Sequence, residues 1–412
     1  MNSALTDKEP SKIKVPVYQP TYTGNVLELY KIFLVNVLLN ICTLGIYSFW
    51  GKTRIRKYMA SQTVLAGNRM EYTGTGKELF IGFLKAILIY WPVSFAMNVP
   101  EIYIFGLIGF FCLISLAMYM ALRYRLSRTR WKGIRFAIAG HAGEFLKIAL
   151  KRTLWNFVTL GYKVAQSDIV KWTYIANFMS FGKTNFKFQG DEKKIQSTNL
   201  KTMGIIYAYT LITFIPLVFS LSDEINSLKK AVMEKPKVSI EKIEKTSPFP
   251  DENYPKPEPA PKETDLEETK IISHDAVFAA KSSFKEDKEI IAIIYGLGWS
   301  LSIFLVWWAA RQWYQAALWR EQFRGVTIND IRFKCALTGG GLLWLKTSNL
   351  VMIILTLGLI MPFIYQRNLR YYLSCIKLGG DVNQLHVDQV ENTDPDGTGD
   401  SLADDFGVDI GF

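Results

Sequence analysis

Apolar residues in this chain are gathered into long runs, and stretches rich in Lys and Arg separate the runs. A helix needs about 20 apolar residues to cross a bilayer core. Four runs meet that length: Leu79 to Val99, Ile102 to Leu122, Met203 to Leu221 and Ile290 to Ala310. The first holds Lys85 and Pro92, the second is uncharged, and the fourth ends in the interface-type aromatics Trp307 and Trp308. The link Asn98 to Glu101 carries no Lys or Arg, whereas Arg123, Arg125, Arg128, Arg130, Lys132 and Arg135 follow the second run. Basic loops stay in the cytoplasm, so the link is expected outside and the basic loop inside. No apolar leader is visible in Met1 to Thr21, so insertion is expected to begin at the first internal hydrophobic helix.

Residues 223–288 read differently. They hold seven of the 15 prolines and alternate Lys with Asp and Glu, a composition that cannot bury a core. This predicts a mostly disordered periplasmic loop, with a short helix over Ile271 to Lys285. Its many lysines are no objection, because long loops obey the charge rule weakly. The last 32 residues, Asp381 to Phe412, contain nine acids and no Lys or Arg, and read as an acidic disordered tail.

The strongest pattern is internal repetition. A Thr-Leu-Gly triplet recurs at Thr43-Leu44-Gly45, Thr159-Leu160-Gly161 and Thr356-Leu357-Gly358. The first two copies keep a constant offset of 116, which maps Gly24 on Gly140, Glu28 on Glu144, Lys31 on Lys147 and Asn40 on Asn156. The third copy keeps Asn349 seven residues before Thr356, as Asn36 precedes Thr43, but lacks the Glu. An aromatic residue followed by Gly punctuates the chain at Tyr22 to Gly24, Tyr72 to Gly74, Phe136 to Gly140, Phe186 to Gly190 and Phe333 to Gly339. Glu28, Glu78 and Glu144 each stand four residues after such a Gly, where an acid suits the first turn of a helix. Each unit therefore reads strand, Gly, helix, and the strands can pair into a small sheet at the cytoplasmic face. Glu28 to Cys42 is only about 22 Å long as a helix, and basic residues lie beyond it too. That favours a hairpin that dips into the membrane, turns at Thr-Leu-Gly and returns, because it leaves every basic loop on one side. One continuous span from Glu28 to Trp50 is the rival. The second copy, with Lys151 and Arg152 in its first leg, suits the interface plane equally well.

The expected architecture is an all-α polytopic membrane protein with three quasi-repeats and two transmembrane hairpins. Its segments are a polar tail (1–21), the first repeat and transmembrane hairpin (22–122), and the second repeat and span (123–222). The proline-rich loop (223–288), a span with the third repeat (289–380) and the acidic tail (381–412) follow. Composition agrees: 49% of the 412 residues are hydrophobic, 14% aromatic and 21% charged, and mean hydropathy is +0.11. This excludes an ordinary soluble enzyme, a disordered protein and a disulfide scaffold, since the four Cys have no paired spacing. The net charge of +11 comes from residues flanking apolar runs, and no nucleic-acid-binding signature accompanies it.

The combination TLGIYSFWGKTRIRKY, EYTGTGKELFIGFL and RYRLSRTRWKGIRF resembles the YjgN-like family, bacterial inner-membrane proteins defined by a domain of unknown function. The resemblance covers most of residues 20 to 222 and 289 to 380. It implies a polytopic fold in the bacterial inner membrane and no particular activity. The proline-rich insert and acidic tail fall outside the pattern. The Tyr47-x-x-Trp50 element is lost in the second unit, at Lys163 and Gln166, and in the third, at Ile360 and Phe363.

Candidate chemistry is sparse. His141 beside Glu144 makes no metal site, and Cys42, Cys112, Cys335 and Cys375 sit in or beside apolar helices as small hydrophobes. No phosphate loop, nucleophile elbow or zinc-protease motif occurs, so neither an enzyme nor a cofactor is expected. Glu28 with Lys31, and Glu144 with Lys147, stand at i,i+3: an intrahelical ion pair or a repeated ion site at a hairpin mouth. Broken helices in corresponding parts of repeats point to transport sites, here Thr43, Gly45, Thr159, Gly161, Thr356 and Gly358, with Glu78 beside them. Arg54, Arg56, Arg123, Arg125, Arg128 and Arg130 set topology and can contact anionic lipids. The expected partners are the lipid bilayer and proteins that engage the periplasmic loop or acidic tail, not nucleic acid. Two functions follow: a non-enzymatic scaffold that binds lipid or protein, and a small-solute transporter or channel-like protein. The C-terminus is expected in the cytoplasm.

Overall fold

The computed structural model describes residues 16–233 and 263–382, with the side chains of 263–292 and several of 217–233 outside the description. The chain opens on β1 (Val17–Tyr18), β2 (Thr21–Tyr22), α1 (Val26–Cys42), α2 (Ser48–Ser61), β3 (Thr63–Leu65) and β4 (Asn68–Tyr72). It continues through α3 (Gly76–Asn98), α4 (Tyr103–Arg128), β5 (Thr129–Trp131), β6 (Ile134–Ile138), α5 (Ala142–Val158) and α6 (Val164–Asn177). There follow β7 (Met179–Phe181), β8 (Thr184–Asn185), β9 (Lys187–Phe188), α7 (Glu192–Met233) and α8 (Glu263–Gly325). The last elements are β10 (Val326–Ile328), β11 (Ile331–Cys335), α9 (Gly339–Leu355), α10 (Met361–Cys375) and β12 (Ile376–Gly379).

Local chemistry explains the boundaries. Side-chain oxygens of Asn25, Thr75 and Thr338 accept from backbone N–H groups in the first turns of α1, α3 and α9, supplying partners that a helix start lacks. Ala66-Gly67 and Lys132-Gly133 occupy left-handed backbone between paired strands, the twist that a tight hairpin requires.

The strands make the chain mostly helical rather than all-α. Five form one antiparallel sheet, in the order β1-β12-β11-β10-β9, and seven form another, in the order β2 to β8. Only Phe186 separates β8 from β9, and only Gln19 and Pro20 separate β1 from β2, so the strands described follow one another in cyclic order. This is far more sheet than the aromatic–Gly spacing suggests, because each of those strands pairs with one that follows a helical hairpin. Residues from both sheets, among them Trp131, Phe181, Ile328, Ile331 and Leu378, form the principal apolar cluster, around a cavity of about 210 Å³.

By length and composition, three helices among the described residues can cross a membrane: Gly76–Asn98, Pro100–Arg128 and Ile293–Gly325. The fourth expected run, Met203 to Leu221, lies in α7, part of whose side chains are outside the description. Two expectations change. The polar tail ends sooner, since β1 and β2 use residues within 1–21. Of the expected loop over 223–288, the short helix over Ile271 to Lys285 lies within α8, and residues 223–233 and the rest of 263–288 are helical too, because no Gly or Pro interrupts α8 between Glu263 and Tyr295. Residues 1–15, 234–262 and 383–412, with the rest of the expected tails and loop, lie outside the described residues.

The chain divides into two compact units, Met1–Met203 with Ala309–Phe412, and Gly204–Trp308. In the second, the Trp299 indole donates to the Thr213 hydroxyl at 2.9 Å, and its ring lies 5.6 Å from that of Phe214.

Candidate functional site

The three Thr-Leu-Gly triplets each join two helices: α1 to α2, α5 to α6, and α9 to α10. Their backbones are nearly superimposable in dihedral terms. Leu44, Leu160 and Leu357 have φ of 49°, 47° and 48°, and Gly45, Gly161 and Gly358 have φ of 93°, 83° and 84°. The hydrogen bonds are those of a Schellman cap. Gly45 N–H donates to the Asn40 carbonyl and Leu44 N–H to that of Ile41; Gly161 to Asn156, Leu160 to Phe157, Gly358 to Ile353 and Leu357 to Ile354 match them. Such a cap normally puts Gly where these leucines stand. A β-carbon there costs about 1–2 kcal/mol.

The threonine has a double role. The Thr43 hydroxyl donates to the Leu39 carbonyl at 2.8 Å and accepts from Tyr47 N–H at 3.0 Å. Thr159 does the same with Trp155 and Lys163. In the first two turns every backbone N–H from the Thr to the residue five later is thus paired inside the turn. Thr356 donates to Met352 in the same way. The first two reversals thus pair their own N–H groups, and what all three turn outward is a leucine: Leu44 is 94% exposed, Leu160 75% and Leu357 93%. Ile41, Phe157, Val158, Ile354 and Leu355 extend these apolar tips.

The turns differ in what surrounds them. Nothing lies within 4 Å of where a side chain on Gly45 or Gly358 would begin. At Gly161 it would meet the Met203 methyl at 2.3 Å, and the Asn199 amide donates to the carbonyls of Gly161 and Tyr162. The second hairpin is therefore seated against α7.

Glu28 and Glu78 take partners other than those the spacing suggests. Glu28, Lys31, Glu144 and Lys147 are exposed, and among the described residues no ion pair joins Glu28 to Lys31 or Glu144 to Lys147. Glu28 instead accepts from the Tyr58 hydroxyl at 2.9 Å, and the same hydroxyl accepts from the Asn25 backbone N–H at 2.9 Å. Burial, and after it the bond to Glu28, push the Tyr58 hydroxyl up to about 12 against the lowering effect of the Asn25 backbone, so it stays a donor at neutral pH. Tyr174 donates to the His141 carbonyl at 2.8 Å, and Tyr371 shares a hydrogen bond with the Thr338 side chain. These tyrosines each stand 33 residues after the residue preceding their unit's first helix, a regularity the motif reading missed. Each fastens the end of a hairpin's second leg to the start of its first. Tyr58→Phe and Tyr174→Phe are each expected to lower stability by about 1 kcal/mol, read as a fall in the midpoint of thermal unfolding in detergent.

Glu78 lies half-buried between Arg128 and Tyr124: the Arg128 Nε is 3.1 Å from its carboxylate, and the Tyr124 hydroxyl donates at 2.8 Å. Arg125 is buried. Arg130 stands opposite Glu71 in the β4–β5 pair, while Arg123 and Arg56 are half-buried. Arg54 is exposed and donates to the Tyr47 hydroxyl at 3.2 Å. The arginines thus divide between the protein interior and its surface.

A family model described as "Bacterial protein of unknown function (DUF898)" matches residues 18–405. The chain belongs to this family. Proteins called "Inner membrane protein YjgN" are similar to it. That of Escherichia coli O157:H7 is 28% identical over 130 residues, covering 31% of this chain and 32% of the relative. That of Salmonella typhimurium is 28% identical over 163 residues, covering 39% and 38%. The chain thus matches well under two thirds of each relative's length. No solved structure matches it significantly.

Within this family member the first and second hairpins also differ at their outer joints. Against the first, Trp50 stacks with Tyr47, packs on Phe80 at 5.8 Å, and leaves no room for a β-carbon at Gly76. Against the second lies an open polar cleft of about 680 Å³ between α6 and α7.

Proposed function

We propose that this is a multi-pass inner-membrane protein, non-enzymatic, that binds lipid and serves as a scaffold. Three copies of a strand–Gly–hairpin unit stand on a base of strands, and their tips dip into one face of the bilayer. The observation that carries this reading is the self-satisfied turn with its outward leucine. Backbone polar groups cannot be left unpaired in hydrocarbon, so irregular backbone there is ordinarily buried in protein. The first two turns pair every N–H donor internally, and all three present apolar side chains outward to lipid. First legs of 17 residues are about 25 Å long, short of a bilayer core of about 30 Å, which favours dipping over crossing. The basic residues from Arg123 to Arg135 favour a cytoplasmic strand base, and with it a cytoplasmic C-terminus.

The transport alternative needs the turns to line a water-filled path. The open space around Gly45 and Gly358, with leucine pointing into it, favours lipid instead. Single cysteines at 44, 160 and 357 in a variant without its native cysteines, carrying a fluorophore in bilayers, test this. Lipids spin-labelled deep in the acyl chain are expected to quench positions 44 and 357 strongly. Position 160, seated against α7, should respond more to shallow labels. Quenching of all three by an aqueous quencher alone would refute the dipping hairpins.

A further inference from the structure

We propose that the cleft between α6 and α7 binds the phosphate head group of an anionic phospholipid. The two outer joints can be compared position by position, because the first and second units keep an offset of 116. In the first, Tyr47, Trp50, Gly76 and Phe80 make a closed aromatic joint. The corresponding positions in the second are Lys163, Gln166, Glu192 and Gln196. All four line the cleft, together with Lys193 and Lys201. One joint is filled by rings, and its counterpart is emptied and made polar.

The charge facing the cleft is three lysines against Glu192, and among the described residues no ion pair engages Lys163, Lys193 or Lys201. Lys163 is held in place, its ammonium 4.6 Å from the centre of the Trp155 ring. An anion therefore suits the cleft. Its position suits an amphiphile. Lys201 stands two residues before the apolar run of α7, exposed Leu200 lines the cleft with it, and exposed Leu160 precedes the Gly161 that Met203 of that run abuts. Head-group phosphate at the lysines leaves acyl chains running along these apolar side chains. The inference rests on the reading of the hairpins as seated in the membrane, since that reading sets the cleft at the water–hydrocarbon boundary.

Full-length protein, purified in a non-ionic detergent and stripped of lipid, is titrated by calorimetry with dioctanoyl phosphatidylglycerol, dioctanoyl phosphatidylcholine or inorganic phosphate. Phosphatidylglycerol should bind at least about tenfold more tightly than phosphatidylcholine. K163Q/K193Q/K201Q should remove that preference, each lysine near a membrane surface being worth about fivefold. Q166W/E192G/Q196F, which rebuilds the first unit's joint, should close the cleft and lose the preference while its elution volume stays that of the wild type. If that variant does not fold, the lysine variant decides alone. Equal affinity for the two lipids, or an undiminished preference in the lysine variant, overturns the proposal. So does inorganic phosphate binding as tightly as the lipid, which would make the site one for free phosphate. Quenching at position 160, measured in bilayers, reports separately on the membrane seating, so the two readings can fail independently.

Discussion

Gly106→Val is expected to destabilise the protein by about 3 kcal/mol, the upper part of the range for overpacked interiors. A β-carbon on Gly106 would lie 2.6 Å from the backbone nitrogen of Met97 and 2.7 Å from the carbonyl carbon of Ala96. Neither atom can swing aside as a side chain can. The two helices meet here just before the short link over Pro100–Ile102, so relief requires α3 and α4 to separate along the end where the chain gives least slack. Gly109 is the internal control. Its β-carbon would meet only the Val93 side chain, at 3.2 Å, so Gly109→Ala should cost under about 1 kcal/mol. Thermal unfolding in detergent compares the two directly. Equal tolerance at both positions would show that the helices do not approach so closely.

Much of this fold is legible in the sequence where the determinants are local. The Thr-Leu-Gly reversal depends on hydrogen bonds spanning five residues or fewer, so the triplet and its flanks suffice to find it. The long apolar helices declare themselves by composition. The strands before Gly24, Gly74 and Gly140 are marked by their aromatic residues, but the order in which strands pair brings together Val17 and Gly379, and nothing local encodes that. The same limit explains Glu28. Its neighbour Lys31 suggests an ion pair on the helix, yet the group it meets is Tyr58, thirty residues on. The signal was present as a fixed spacing between each tyrosine and its helix start, visible only once the repeat is followed past the triplet. Helix α8 is legible only in part, as the short helix over Ile271 to Lys285 and the span over Ile290 to Ala310, for another reason. The prolines end at Pro261, and the charged, Ala-containing stretch beyond them suits a helix as well as a loop.

Thr43→Val and Thr159→Val are expected to be the most damaging changes at the turns. Valine keeps the shape of threonine and removes the hydroxyl. Each change leaves one backbone N–H, of Tyr47 or Lys163, without its acceptor, and frees the carbonyl of Leu39 or Trp155 from its second bond. An orphaned donor away from water costs about 1–3 kcal/mol. The two changes act on turns of separate units, so the double variant should lose about the sum. Serine restores the hydroxyl, and Thr43→Ser with Thr159→Ser should recover most of the loss. Thr356→Val removes the bond to Met352 and should cost less than the others. Solvent decides the size of these effects. If lipid surrounds the tips, nothing replaces the lost acceptor, and valine is costly in bilayers while serine is not. If water fills a path along the turns, it hydrogen-bonds the freed N–H, and valine and serine behave alike. Unfolding midpoints of the valine and serine variants in nanodiscs therefore separate a lipid-seated hairpin from a solute pathway, and equal midpoints would sink the lipid reading.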